Sequence, residues 1–177
     1  MYRFVLAPVA LALALSACNK EPEVSMTNAS AEDVAKAAKA AAPKMKGGQW
    51  ELKTEIVSVE MPGAPAGVAD SMKKQGANTV SQCFTDEQLN SQGGAMGKMG
   101  DSCKFADFKM GDGSMSGTTT CKLPQGEATS KVKGTYADDK FDYETETSSS
   151  MPGGQSMKMT MKIAGRRTGD CTPPKTN

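Results

Sequence analysis

The sequence predicts a mainly β protein, a single antiparallel β-meander that forms a curved sheet or a partial barrel, with a short helix and an N-terminal helical tether. Two observations predict this class. From Gly47 onward, apolar and polar residues alternate with the period of two that is typical of strands. Turn residues interrupt this pattern at intervals of about ten residues, as they do in all-β domains. We therefore expect one folded domain over residues 47–171, followed by a tail over residues 172–177.

Residues 1–17 are typical of a secretory signal peptide. Arg3 precedes an apolar run from Val5 to Leu15, which is too short to span a bilayer. Leu15-Ser16-Ala17-Cys18 resembles a bacterial lipobox, and this resemblance implies that the Cys18 thiol receives diacylglycerol and becomes the mature N-terminus. An ordinary signal peptide cut nearby is the alternative. Residue 19 is Asn rather than the Asp of an inner-membrane retention signal, so we expect a periplasmic protein whose lipid anchor lies in the outer membrane.

Residues 18–46 are predicted to be a tether that carries a marginal, Ala-rich helix. Ser30-Ala-Glu-Asp33 resembles a capping box at the start of the run Val34–Ala42, and Pro43 ends this run. Because Val34 is the only large apolar side chain in the run, the helix has little to bury and should fluctuate. A spacer between membrane and domain is the favoured interpretation, and a helix that docks on a partner is the alternative.

The elements of the β domain follow from the same pattern. The first strand begins near Gly47, and its apolar parity changes after Ile56, which predicts a bulge or a bend there. Residues 61–67 end this strand, and residues 68–76 are predicted to hold a helical turn. Thr85-Asp-Glu-Gln88 resembles a capping box that opens a short helix. The remaining strands are predicted at Asn78–Phe84, Cys103–Met110, Ser114–Leu123, Glu127–Ala137, Lys140–Ser148 and Ser156–Arg167.

Four cysteines remain once Cys18 is assigned to the lipid: Cys83, Cys103, Cys121 and Cys171. An even number in an oxidising compartment predicts two disulfides, and four cysteines allow three pairings. We expect Cys83–Cys103, which would close a Gly-rich segment, and Cys121–Cys171, which would tie the last strand to a central one. Zinc is the disfavoured alternative, because the spacings contain no CxxC and the chain has no histidine.

Laid end to end, these landmarks resemble a known family. Gly48-Gln-Trp50-Glu51, Met61-Pro-Gly63, Cys83-Phe-Thr85 and Gly165-Arg-Arg-Thr-Gly-Asp-Cys171 are similar to the domain of unknown function 3617 family, over about residues 44–171. The resemblance implies a small exported bacterial protein, often a lipoprotein, and it brings no activity with it. Thr168 is a departure, because an apolar residue is expected at that position.

The methionines of the last predicted strand are the first candidate site. Met157, Met159 and Met161 share one strand face, while Lys158 and Lys162 point to the other. Core packing is the favoured interpretation, since only 5% of the residues are aromatic and methionine fills irregular interiors. A methionine-lined ligand cavity or adaptable surface is the second interpretation. Copper(I) is the third, although same-face neighbours on a strand lie ~7 Å apart, too far to share one ion without a bend.

The C-terminal charges form a second candidate group. Arg166 and Arg167 are neighbours on one strand, so at most one of them points inward. That arginine is expected to pair with Glu51 or Asp170 and to act as a structural clamp on the final strand. An anion-binding arginine is the alternative.

Two features of the composition exclude function classes. Twenty-one basic side chains balance 20 acidic ones, which argues against a nucleic-acid partner. The absence of histidine excludes Ser-His-Asp and Cys-His catalysis, and cysteines that are oxidised or lipidated are not free nucleophiles. We therefore expect no enzyme and no cofactor, but a binding protein for an envelope protein or a small apolar ligand. A methionine-based copper protein and a structural envelope component are the alternatives.

Overall fold

The structure is a computed structural model that describes residues 23–41, 44–90, 102–124, 126–150 and 155–171. The predicted signal peptide over residues 1–17, the predicted lipid attachment at Cys18 and the tail over residues 172–177 lie outside the described residues. Among the helices of the described ranges, none is both long enough and apolar enough to cross a bilayer.

The described residues form eight strands and three helices. The helices are α1 (Ala31–Ala41), α2 (Val68–Gly76) and α3 (Asp86–Asn90). The strands are β1 (Val24–Ser30), β2 (Gly48–Glu60), β3 (Asn78–Phe84), β4 (Cys103–Gly111), β5 (Ser114–Leu123), β6 (Gly126–Tyr136), β7 (Lys140–Ser150) and β8 (Ser156–Gly169).

All eight strands belong to one antiparallel sheet in the order β1-β4-β5-β6-β7-β8-β2-β3. Strands β4 to β8 form a continuous meander, and β2 then pairs with β8. The sheet is not closed, because β1 and β3 remain at its two edges. The prediction of a mainly β protein built on an antiparallel meander is confirmed, in its open-sheet form.

Most of the segment expected to be a spacer, residues 23–41, is part of the fold. Strand β1 pairs with β4, with Val24 opposite Met110 and Ser30 opposite Lys104. Helix α1 is docked rather than marginal, and the side chain of Val34 is fully buried. The stripe that packs against the sheet consists of one valine and three alanines at helical spacing, and the alanines allow the helix axis to approach the aromatic side chains closely: Ala31, Val34, Ala38 and Ala41.

Both predicted capping boxes begin a helix. The Ser30 hydroxyl accepts a hydrogen bond from the Asp33 backbone N–H at 3.1 Å and donates one to the Asp33 carboxylate at 2.7 Å. At α3 the Thr85 N–H donates to the Gln88 side-chain oxygen at 2.8 Å, and the Gln88 N–H donates to the Thr85 hydroxyl at 3.2 Å. These bonds satisfy N–H groups that the first helical turn leaves without an intrahelical acceptor.

The predicted bulge in β2 is present. The register between β2 and β8 shifts between Ile56 and Ser58, and the extra residue, Val57, is 43% exposed. The shift restores the apolar parity, so that Ile56 lies opposite Met161 and Val59 lies opposite Met159. Both apolar residues therefore contribute to the same face of the sheet.

The two faces of the sheet differ in chemistry. We call the face that carries Trp50, Phe108 and Met161 the inner face, and the opposite face the outer face. The buried core lies on the inner face, where Phe105, Phe108, Met110 and Tyr136 pack against α1. Trp50 is fully buried and stacks on Phe141, with ring centroids 6.0 Å apart. Gly165 lies opposite Phe141 on β8, and a Cβ at this glycine would overlap the phenyl ring.

The outer face carries a ladder of opposite charges across β6, β7 and β8. Lys133 lies opposite Glu144 and pairs with it at 3.0 Å, while Lys162 approaches the same carboxylate at 3.8 Å. Lys133 holds the pKa of Glu144 below its usual value. Cross-strand pairs of this kind stabilise a solvated face by a few tenths of a kcal/mol each.

Candidate functional site

One row of directly opposed residues crosses the inner face and locates both helices. From one edge inward it runs through Met26, Phe108, Gly117, Val132, Thr145, Met161 and Ile56. Helix α1 packs on the Phe108 end of this row. Helix α2 packs on the Ile56 end, where a Cβ at Gly76 would overlap the Ile56 side chain. Both helices therefore cover the inner face, with α1 on one side of this row and α2 on the other, and α1 also reaches Tyr136 at the end of β6.

A trough remains between the two helices. Strands β4 and β2 are separated by five strand spacings, or about 24 Å on a flat sheet at ~4.8 Å per spacing. Subtracting one helix diameter of about 10 Å leaves an opening roughly 14 Å wide. Val132, Thr145 and Met161 form its floor at this height, and all three are half-buried. The described residues thus leave the central strands of the inner face partly open.

The predicted methionine row forms one side of this floor. Met157, Met159 and Met161 lie on the inner face and are half-buried, whereas Lys158 and Lys162 on the outer face are exposed. None of these three methionines belongs to the fully buried core, which lies under α1 and around Trp50. Core packing, the favoured interpretation of the sequence, is therefore not what the structure shows for this row.

A row of hydroxyl groups on β7 forms the other side of the floor. Thr145, Thr147 and Ser149 lie opposite Met161, Met159 and Met157, respectively. The Thr147 hydroxyl is hydrogen-bonded to the Ser130 hydroxyl at 3.0 Å, which leaves its methyl group to pack. The Ser149 hydroxyl is buried and has no hydrogen-bond partner among the described residues. The floor is thus polarisable and apolar along β8 and weakly polar along β7, with no charged side chain among those named.

A cavity of about 230 Å³ lies at the far end of the trough. Met61 and Met157 bring two thioethers to its wall, and the loop that follows β2 supplies most of the rest. Sequence reasoning did not assign Met61 to a site, although Met61 is two residues after Val59 and continues the alternation that follows the bulge. The other residues that line the cavity are Pro62, Gly63, Ala64, Pro65, Val68, Gln155 and Ser156.

Aromatic side chains occupy the opposite end of the trough. Phe141 and Tyr143 stack with ring centroids 5.4 Å apart, and Tyr143 lies opposite Ile163. Burial, together with the neighbouring Tyr136, raises the pKa of the Tyr143 phenol to about 12. Tyr143 is therefore neutral at physiological pH, so this end of the trough adds no charge.

The predicted clamp residues lie away from the trough, at the junction of β2 and β8. The Arg167 guanidinium donates through Nε to the Gly47 carbonyl at 2.7 Å and forms an ion pair with Asp170 through Nη2. Arg166 and Glu51 lie opposite each other in the register, and both are exposed. Arg167 thus joins the end of the last strand to the start of β2.

Two disulfides are present, but the expected pairing is wrong. The bridges are Cys83–Cys171 and Cys103–Cys121. Cys103 and Cys121 lie directly opposite each other on β4 and β5. Cys83 lies on edge strand β3, and only β2 separates β3 from β8, the strand that precedes Cys171. The bridges close 88 and 18 residues, which in the loop-entropy model correspond to about 4–5 and about 3 kcal/mol.

No group of three or more His, Cys, Asp or Glu side chains within the described ranges could hold a metal ion.

Residues 45–171 match the family described as "Protein of unknown function (DUF3617)". The chain belongs to the DUF3617 family. The matched residues run from before β2 to Cys171, so they include the floor of the trough, α2 and both disulfides but neither β1 nor α1. No curated protein and no solved structure shows significant similarity to the chain.

Proposed function

We propose that this DUF3617 protein is a non-enzymatic periplasmic lipoprotein, anchored in the outer membrane through Cys18, that binds a small apolar ligand in the trough of its inner face. The observation that carries the proposal is the half-buried methionine row between α1 and α2. A partly exposed apolar floor with a helix on each of two sides resembles a ligand site more than the outer face with its charged ladder does.

The chemistry of the floor supports an apolar and elongated ligand. The floor extends over seven residues of β8 from Met157 to Ile163, and these six steps span about 20 Å at ~3.3 Å per step. Thioether side chains are flexible and polarisable, so they can repack around ligands of different shape. The hydroxyls of Thr145 and Thr147 offer weak polar contacts along one side. A charged ligand group would find no partner of opposite charge among these residues.

The ligand site can be tested by titrating the purified protein with an environment-sensitive apolar fluorophore. Met159→Ser makes the middle of the floor polar, and it should weaken probe binding several-fold. Lys158→Ser is the matched control, because Lys158 lies on the outer face in an exposed pair with Glu146. Equal affinity in the wild type and both variants would show that the probe does not use the trough, and the proposal would be wrong.

The lipid anchor can be tested independently of the ligand. Mass spectrometry of the protein extracted from bacterial membranes should show a mature N-terminus at Cys18 that carries diacylglycerol and an amide-linked acyl group. Cys18→Ala should release the protein from the outer-membrane fraction. An unmodified N-terminus, or fractionation that the substitution does not change, would contradict the anchor without affecting the trough.

Copper(I) binding is the second candidate function, and the position of Met61 favours it. Met61 and Met157 line the same cavity, so one soft ligand comes from the loop after β2 and the other from β8. Competition with a chromogenic copper(I) chelator separates the candidates. Under the apolar-ligand proposal the protein takes up no stoichiometric copper, and Met61→Leu leaves chelator competition unchanged. Stoichiometric uptake that Met61→Leu abolishes would favour copper.

An envelope protein is the other partner that the trough could take. Crosslinking in whole cells, from a photoreactive residue placed at Ser156 beside the cavity, distinguishes the two kinds of occupant. Lipid or another small apolar adduct is expected. A single protein adduct in high yield would show that the occupant is a protein partner and not a small ligand. A purely structural component would give neither kind of adduct.

A further inference from the structure

The position of β1 fixes where the chain leaves the folded body. Glu23, the first described residue, packs against Gly111, and a Cβ at this glycine would lie 3.1 Å from the Glu23 Cα. Gly111 begins the tight turn Gly111–Ser114 between β4 and β5. We call Glu23, Gly111, Asp112 and Gly113 the anchor corner, because any N-terminal attachment must act through it.

The connection from this corner to Cys18 is short. Four residues separate Cys18 from Glu23, and the five Cα–Cα steps of a fully extended chain span at most roughly 18 Å. The sequence pattern predicted a spacer of 29 residues, 18–46, but β1 and α1 are packed into the fold. A lipid on Cys18 would therefore hold the anchor corner close to the bilayer.

The far end of the trough lies at the diagonally opposite part of the sheet. Val24 and Ile163 lie at the two ends of one row of directly opposed residues, so they are at the same level along their strands. The residues between them in this row are Met110, Met115, Gly134 and Tyr143. Met157 is six residues further along β8, or about 20 Å, and β8 is five strand spacings from β1, or about 24 Å. Each distance exceeds the reach of the connection between Cys18 and Glu23.

The helices also prevent the bilayer from reaching the floor of the trough directly. Both cover the inner face, and each adds a layer about 10 Å thick. Their exposed sides carry ion pairs, Glu32–Lys36 on α1 and Asp70–Lys73 on α2. A body lying with its inner face on the membrane would press these charges against the headgroups and would still keep the methionines away from them.

Resting on the proposed lipid anchor, we infer that the anchor corner is the surface that faces the bilayer, and that the far end of the trough opens away from it. The corner carries Glu23 and Asp112, and the neighbouring turn adds Asp139. Lys46 pairs with Asp138 in this turn and also lies near Asp139, so these charges are partly balanced. We therefore assign the position of the corner near the membrane to the short connection and not to headgroup charge. A ligand would then pass between the trough and the aqueous compartment or a partner in it, rather than the anchoring bilayer.

Energy transfer to vesicles tests this orientation. The acylated full-length protein is inserted into phosphatidylethanolamine–phosphatidylglycerol vesicles that carry an acceptor dye on a lipid headgroup. A donor is attached through an encoded azido residue at Lys109, which lies opposite Ser25, or at Glu60, which lies at the far end of β2. Both positions are exposed on the outer face, and azido labelling leaves the disulfides intact. Transfer at position 109 should be several-fold greater than at position 60.

A longer connection provides the control. Insertion of about 20 Gly/Ser residues before Glu23, a coil of roughly 25 Å, should abolish most of the difference between the two positions. Equal transfer at both positions in the native chain, or greater transfer at position 60, would overturn the orientation alone. If the full-length protein made in bacteria is not acylated and gives no transfer at either position, both the lipid anchor and this inference are wrong.

Discussion

The docking of α1 gives the sharpest quantitative prediction. Val34 is fully buried against the aromatic side chains of the inner face, and Val34→Ala removes two of its methyl groups. At about 0.8 kcal/mol per buried carbon the transfer loss is ~1.6 kcal/mol, and the cavity that remains raises the total to about 2–3 kcal/mol. For a folded region of this size we expect the midpoint of thermal unfolding to fall by about 5–10 °C.

The assay is equilibrium unfolding in urea with both disulfides intact, followed by tryptophan fluorescence, since Trp50 is the single tryptophan and is buried. Lys36→Ala is the matched control on the same helix, because its ion pair with Glu32 is exposed and is expected to contribute under ~0.5 kcal/mol. If Val34→Ala costs no more than this control, α1 does not dock cooperatively, and residues 18–46 are the spacer that the sequence pattern favoured.

Three further predictions concern other parts of the fold. Gly165→Ala should destabilise the protein by about 1–3 kcal/mol, measured by the same unfolding experiment, because its Cβ would overlap the Phe141 ring; unchanged stability would contradict this packing. Peptide mapping without reduction should recover Cys83 linked to Cys171, and loss of this bridge by paired Ser substitution should lower the free energy of unfolding by about 4–5 kcal/mol. The Tyr143 phenol, with its pKa raised to about 12 against an ordinary value near 10, should stay protonated in the native protein between these values. Because only the unfolded chain ionises this group there, stability should be complete below pH 10 and fall as the pH rises toward 12; spectrophotometric titration that shows all tyrosines ionising near pH 10 without unfolding would refute this.

The boundaries of most strands follow from local signals. Strand β5 and helix α2 begin and end at the predicted residues, because a period-two or helical pattern is bounded by glycine or proline at both places. The bulge at Ile56 was also visible, since its cause is a change of parity within a single strand. Such features depend on neighbours along the chain, which a sequence displays directly.

Strand β1 was missed for a physical reason. Its apolar side chains are few, and Asn28 adopts a left-handed conformation, with φ 51°, that interrupts the alternation. The strand is stabilised by its pairing with β4, almost 80 residues later in the chain, and by the helix that follows it. The burial of α1 was missed with it, because its partners are on β4 and β6.

The disulfide pairing and the site depended on the same long-range order. Cys83 meets Cys171 because β2 lies between β8 and β3, an arrangement that no local pattern specifies. The common face of Met157, Met159 and Met161 was predictable from parity. Their partial exposure was not, because it depends on where α1 and α2 end above the sheet.

The family match begins at residue 45, whereas the β1–α1 unit that completes the aromatic core precedes it. Trimming a protein of this kind to its matched boundaries would strip the cover from Phe105, Phe108 and Tyr136 and leave β4 as a bare edge. Such a fragment would expose an apolar surface and an unpaired edge strand to other copies. Its aggregation during purification would result from the truncation and would not be a property of the native protein.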